Sequence, residues 1–187
     1  MERSPIEQPG APPGGCALVM LVGPPASGKS YLARRLAERL DATLLQTDAL
    51  RRAMFPRPRY TGKEHFAVYA ESHRRIERGL RLGRTVIFDA TNLNERKRRV
   101  VYRIAERSGA RLVVGLTWAP PEVIRRRLAG RQAGLDPLDQ SEADWRVYRR
   151  LGRPDPISRP HVLLNTTVSL ERSVELLARR AGGRAPT

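Results

Sequence analysis

The chain has 187 residues, 40% of them apolar, and a formal charge of +16 at pH 7. That length suits one domain, within the usual ~50–250 residues, with enough apolar material for one substantial core. The longest uninterrupted apolar run, Cys16 to Val22, falls far short of the ~20 residues of a membrane helix, and Arg3 alone makes no basic leader region, so the expectation is a soluble, unexported, cytoplasmic protein without a membrane partner.

Residues 1–15 hold four prolines and three glycines with almost nothing apolar, which predicts a flexible leader. From there to residue 180, short apolar runs alternate with longer segments of helical period, the pattern of an α/β domain whose parallel sheet is covered on both faces. Ala17 to Val22 reads as the first strand, and Lys29 to Leu40 as a helix with Leu32, Leu36 and Leu40 on one stripe. TLLQT is a second strand running out at Asp48. After a helical turn, PRPRYTGKEH reads as a loop, because Pro56 and Pro58 forbid regular helix, and a helix follows from about His65 to Leu82, stopped by Gly83.

TVIFDA is the third strand, and NERKRRVVYRIAERSG a helix entered at Asn94 as cap and stopped at Gly109. RLVVGLTW is the fourth strand, after which Pro120 and Pro121 open a helix through Arg131. Residues 132–144, QAGLDPLDQSEAD, are polar and too long for an idle connection, which marks a candidate lid with arginines on both sides. DWRVYRRL is helix-like. A proline-rich link leads to the fifth strand, HVLLN, then a last amphipathic helix, LERSVELLARR, with residues 181–187 as a flexible tail.

Between the first strand and first helix stands GPPASGKS, Gly23 to Ser30, which matches GxxxxGK[ST]. This phosphate-binding loop needs a strand, a glycine turn whose N–H groups point inward, and a helix N-terminus with its positive dipole end toward the phosphate; all three are present in order. The nucleotide-binding residues are therefore Gly23, Pro24, Pro25, Ala26, Ser27, Gly28, Lys29, Ser30 and Tyr31. Lys29 suits the β- and γ-phosphates of ATP and the Ser30 hydroxyl suits Mg²⁺. Ligands of an open parallel sheet sit beyond the carboxyl ends of its strands, where Asp48 and Asp89 fall. One acid can take the proton of an acceptor hydroxyl and the other can serve the metal; either aspartate could instead be a helix cap or turn residue.

Arg127 and Arg131 stand one turn apart beside the apolar Ile124 and Leu128, whereas Arg125 and Arg126 read as a solvated face. Only Lys29, Lys63 and Lys97 are lysines, so the positive charge is mostly arginine. Such a field attracts polyanions or reflects a solvated arginine-rich surface. Basic and aromatic residues in PRPRYTGKEHF (Arg57, Arg59, Tyr60, Lys63, His65, Phe66) suit either a single nucleic-acid strand or a surface loop. Cys16 is the single cysteine, which excludes an internal disulfide, and the histidines show no metal spacing.

GPPASGKS, TDALR, VIFDATNLN and PPEVIRRRLAGR, in this order and followed by SEADWRVYRR, resemble the P-loop kinases that include polynucleotide 5′-hydroxyl kinases and zeta-type toxins, an AAA-type ATP-binding family. The resemblance implies a three-layer P-loop NTPase sandwich with five parallel strands in the order 2-3-1-4-5 and an arginine-bearing lid. It implies Asp48 as general base, Arg51 on the acceptor's own phosphate, and Arg127 and Arg131 on the γ-phosphate. Asp89, Thr91 and Asn92 would face substrate or, for Asp89, Mg²⁺. The acceptor implied is the 5′-hydroxyl of a polynucleotide, as single-stranded nucleic acid, or alternatively an anionic small molecule such as a sugar nucleotide. A nucleotide-dependent switch or ATPase without acceptor is the other function class.

Overall fold

The computed structural model describes residues 15–132 and 143–182, and the side chains of residues 131 and 132 are outside that set. The leader before Gly15, most of the expected lid, the Arg131 side chain and the tail beyond Gly182 therefore lie outside the described residues.

The elements run β1 (Ala17–Val22), α1 (Lys29–Leu40), β2 (Thr43–Gln46), α2 (Thr47–Met54), α3 (Gly62–Arg81), β3 (Val86–Asp89), α4 (Glu95–Arg107), β4 (Arg111–Trp118), α5 (Pro121–Gln132), α6 (Trp145–Leu151), β5 (His161–Asn165) and α7 (Leu170–Arg180). The strands form one sheet in the order β2-β3-β1-β4-β5, as the resemblance implies. Every pairing is parallel.

Every residue of the central strand β1 is fully buried, and its side chains alternate between the two layers. Leu18, Met20 and Val22 join Val68, Ile76 and Leu80 of α3 and Val101, Ile104 and Ala105 of α4. Ala17, Val19 and Leu21 join Leu32 and Leu36 of α1 and Leu177 of α7. A two-residue repeat buried on both sides is why ALVMLV carries no polar position.

Two boundaries differ from the expectation, both for local reasons. The chain is helical from Thr47, so Asp48 lies in the first turn of α2 and not at a strand end, with Gln46 as N-cap. α3 begins at Gly62, because the Thr61 side chain caps it by accepting from Glu64 N at 3.2 Å. TGKE is a capping signal that the preceding prolines obscured. Lys63, His65 and Phe66 are thus helical residues, and only Arg57, Arg59 and Tyr60 of the basic and aromatic set remain in a loop.

Candidate active site at the carboxyl edge of the sheet

Gly23 to Gly28 turn between β1 and α1. A Cβ at Gly23 would come within 2.3 Å of Thr117 Oγ1, and one at Gly28 within 3.0 Å of Thr166 Cβ; both glycines have positive φ. Ala26 also adopts a left-handed conformation, φ 58°, and alternation of this kind turns successive N–H groups into one concavity. α1 then starts at Gly28 with no side-chain cap and no acid in its first turn. By contrast, α3, α4, α6 and α7 are capped by the side chains of Thr61, Asn94, Asp144 and Ser169. α2 also starts without a side-chain cap but carries Asp48 in its first turn, whereas the N–H groups that open α1 suit an external acceptor such as phosphate.

Two threonines fasten the loop from the far strands. Thr117, near the end of β4, shares a hydrogen bond with Ser27 at 2.7 Å and donates to Val22 O at 3.1 Å. Thr166, just past β5, donates to Ser27 O at 2.8 Å. Ser27 is accordingly fully buried. Lys29 Nζ donates to Pro24 O at 2.8 Å, so the amine lies folded over the loop. Pro25 is buried and Tyr31 is exposed on the outer side of α1's first turn.

Asp89 ends β3 opposite Gln46 in the register and accepts from Gln46 Nε2 at 2.9 Å. Asp89 is on β3, which pairs with β1, and Gln46 is on β2, one strand further out. Ser30 carries a hydroxyl and Asp89 a carboxylate, both hard oxygen donors. Among the described residues there is no cluster of three or more His, Cys, Asp or Glu that could cage a metal. This fits Mg²⁺, which usually takes one or two carboxylates and completes its shell with phosphate and water.

Thr91 and Asn92 follow β3. The Thr91 carbonyl accepts from Gly23 N at 3.0 Å, and the Asn92 amide donates to Leu21 O at 2.7 Å from a buried, left-handed position. Asn92 therefore braces β3 against β1, its side chain directed inward. The Thr91 side chain lies beside the buried phenol of Tyr69, whose ionisation burial and the nearby Asp48 oppose.

Asp48 and Arg51 occupy successive turns of α2, and Arg51 is buried. Its Nη1 lies 3.7 Å from Glu64 Oε2, its Nη2 is 3.4 Å from His65 Nδ1, and its guanidinium carbon sits 4.9 Å from the Tyr60 ring centre. Arg51 Nε and Nη1 have no hydrogen-bond partner among the described residues.

Arg127 turns toward the loop: Nη1 donates to Ala26 O at 3.2 Å and to Thr166 Oγ1 at 2.9 Å, and Nη2 donates to Thr166 O at 2.8 Å. Burial, and then Arg126, lower its pKa. Arg125 and Arg126 are exposed, the former 5.9 Å from the Trp145 ring centre. Asn165 accepts from the N–H and hydroxyl of Thr167, closing its own turn.

Several contributors had no motif to announce them. Gln46, Thr117 and Thr166 look like ordinary strand-end polar residues. Arg98 is fully buried and donates to the carbonyls of Asn92, Leu93, Asp155 and Pro156 at 2.7–2.9 Å while pairing with Glu95 at 2.7 Å. It locks the DATNLN turn to the link before β5. A cavity of about 510 Å³ lies on the flank of α4, lined by Arg96, Arg99, Tyr102, Arg103, Ser158 and Arg159.

A family model described as "AAA domain" matches residues 18–154. The chain is similar to the tRNA dimethylallyltransferase of Geobacter metallireducens, 27% identical over 170 residues, covering 85% of this chain and 53% of that protein. It thus spans about half the length of that relative. Its fold is similar to that of the APS kinase CysC of Mycobacterium tuberculosis, solved with AMPPNP and APS (TM-score 0.62, 19% identity, 90% of this chain and 98% of that one). A sugar kinase from Janibacter sp. HTCC2649 is similar as well (TM-score 0.65, 15% identity, 91% and 99%). The fold is that of the P-loop kinases. Among the described residues, no helix is long and apolar enough to cross a membrane.

Proposed function

The chain belongs to the AAA domain family, and from that premise we propose that it is an ATP-dependent phosphotransferase acting on an acceptor hydroxyl, foremost the 5′-hydroxyl of a polynucleotide. The observation that carries this reading is the pair on α2: a carboxylate, Asp48, one turn from a buried guanidinium, Arg51, with unsatisfied N–H groups. A site that only hydrolysed ATP would have no use for a second anion-binding group on the acceptor side.

In this reading the loop N–H groups and α1 hold the β-phosphate, and Lys29 swings from Pro24 O to the β- and γ-phosphates. Mg²⁺ held with Ser30 and Asp89 would neutralise charge on those phosphates. Asp48 accepts the acceptor's proton, the acceptor oxygen forms its bond to the γ-phosphorus, and the bond to the β,γ-bridging oxygen breaks to release ADP. Arg127 and Arg131 are assigned to the γ-phosphate; the contacts of Arg127 with Ala26 and Thr166 support a place for it beside the loop.

Support for a polymer comes from the net charge of +16 and the arginine-lined cavity on α4. An anionic small acceptor, of the kind that APS represents for the similar mycobacterial kinase, is the second reading, favoured by the enclosed setting of Arg51. The deciding experiment is transfer of labelled γ-phosphate to 5′-hydroxyl DNA and RNA oligomers beside a panel of sugars, sugar nucleotides, nucleosides and antibiotics. Labelled oligomer is expected, abolished by Lys29→Met and by Asp48→Asn with the fold retained. Turnover on a small molecule with no label on any oligomer would remove the polymer. ATP hydrolysis with no labelled acceptor would leave a switch or ATPase. An Asp48→Asn variant with near-normal kcat would remove Asp48 as base.

A further inference from the structure

Three helices bring basic groups to one point. His65 of α3 stands between Arg51 of α2 and Lys97 of α4: Arg51 Nη2 is 3.4 Å from His65 Nδ1, and Lys97 Nζ is 2.9 Å from His65 Nε2. Guanidinium and ammonium groups are donors only, and a neutral imidazole has one lone pair. If Lys97 takes that lone pair, His65 Nδ1 carries the proton and faces another donor. Arg51 Nε and Nη1 are also without acceptors among the described residues. Glu64 lies 3.7 Å from Nη1, an ion pair and not a hydrogen bond, while both its oxygens accept from Arg59 N at 3.0 Å. At His65 and Arg51 the N–H donors outnumber the acceptors that meet them, and the rings of Tyr60 and Tyr69 lie against Arg51 and Lys97.

We propose that His65 and Lys97 complete, with Arg51, a subsite for a tetrahedral oxyanion carried by the acceptor, which makes the substrate class hydroxyl compounds bearing a phosphate or sulfate group and excludes neutral sugars and simple alcohols. The inference deepens the phosphotransferase reading and rests on it for the word acceptor; the oxyanion site itself stands on the cluster. An oxyanion offers several acceptor oxygens at once, for Lys97 Nζ, a His65 N–H and the Arg51 Nη2 that faces the imidazole. Its charge also favours an imidazolium that the two cations now oppose.

Burial first, then Lys97 and Arg51, hold the His65 pKa down at about 4. The charged and titratable groups around it are Arg51 and Asp48 on α2, Glu64 and Tyr69 on α3, and Lys97 on α4. An anion seated among them should raise that pKa by about one unit or more, since an opposite charge within hydrogen-bonding range shifts a pKa by ~1–3 units.

Sulfate is a suitable probe, because it does not titrate between pH 3 and 8 and has no hydroxyl to phosphorylate. His65 ring signals would be followed by NMR on the full chain from pH 3.5 to 8 in sodium sulfate and in sodium chloride at equal ionic strength. The expected result is an upward pKa shift in sulfate for His65 and none for His161, with the shift lost in Lys97→Met, an exposed position where folding is not at risk. Superimposable His65 curves in the two salts, or an undiminished shift in Lys97→Met, would overturn the subsite. This readout needs no kinase activity, so a protein that binds sulfate here but labels no acceptor sinks the phosphotransferase reading and leaves the subsite in place.

Discussion

Arg127 and Thr166 are joined twice: one guanidinium donates to both the hydroxyl and the carbonyl of the threonine, at 2.9 and 2.8 Å. The same hydroxyl donates to Ser27 O at 2.8 Å. A residue just past the edge strand thus couples α5, the helix leading to the expected lid, to the backbone of the phosphate loop. Thr166→Val keeps the shape and removes the hydroxyl, leaving Ser27 O and one Arg127 N–H without their partner. The expected loss is about 1–3 kcal/mol of stability together with weaker ATP binding. Urea unfolding and nucleotide titration check this; unchanged affinity would separate Thr166 from the loop.

Arg98 makes the stronger structural claim. It is fully buried and bonds four backbone carbonyls, besides Glu95. Arg98→Met should cost at least ~3 kcal/mol, because Glu95 and the carbonyls lose a buried charged partner. Chemical denaturation measures it. A cost below about 1 kcal/mol would mean that water satisfies these groups as well as the guanidinium does.

Ala26 bears a left-handed backbone, φ 58°, within the phosphate loop. Glycine adopts that conformation without Cβ strain, but it raises the entropy of the unfolded chain. The two effects oppose each other, and the strain, ~1–2 kcal/mol, is the larger. Ala26→Gly is therefore expected to stabilise the protein by up to ~1 kcal/mol, read as a raised Tm. A lowered Tm would show that packing of the Ala26 methyl against Ile124 and Leu128 outweighs the strain.

Acid should destabilise the fold through His65. Its folded pKa, about 4, lies below the ~6.5 of an unfolded histidine, so the unfolded chain binds more protons in that window. Stability is lost as pH falls from about 6.5 to about 4. The partly exposed setting reduces the full linkage to roughly 1–2 kcal/mol. His73, whose pKa burial also lowers, acts in the same direction. Unfolding at pH 7 and pH 5 should show a smaller pH dependence in His65→Gln than in the parent; equal slopes would assign the acid sensitivity elsewhere.

Much of this molecule is legible along the chain because its determinants are local. The two-sided burial of β1 is written in ALVMLV, the start of α1 in GKS, and the cap of α4 in Asn94. The start of α3, at Gly62 and not near His65, is local as well: TGKE specifies it, although Pro56 and Pro58 just upstream disfavour helix. Strand order followed from the resemblance carried by four short motifs. Tertiary structure alone decided which polar residues meet. Periodicity cannot say that Thr117 and Thr166, from two different strands, fasten one loop, that Arg98 is buried, or that Asn92 points inward. Nor can it say that His65 comes to stand between Arg51 and Lys97, a residue 32 positions further along the chain. Those outcomes depend on how α2, α3 and α4 approach across the sheet. Donor and acceptor bookkeeping, unlike hydrophobic period, has no signature until the helices are in place.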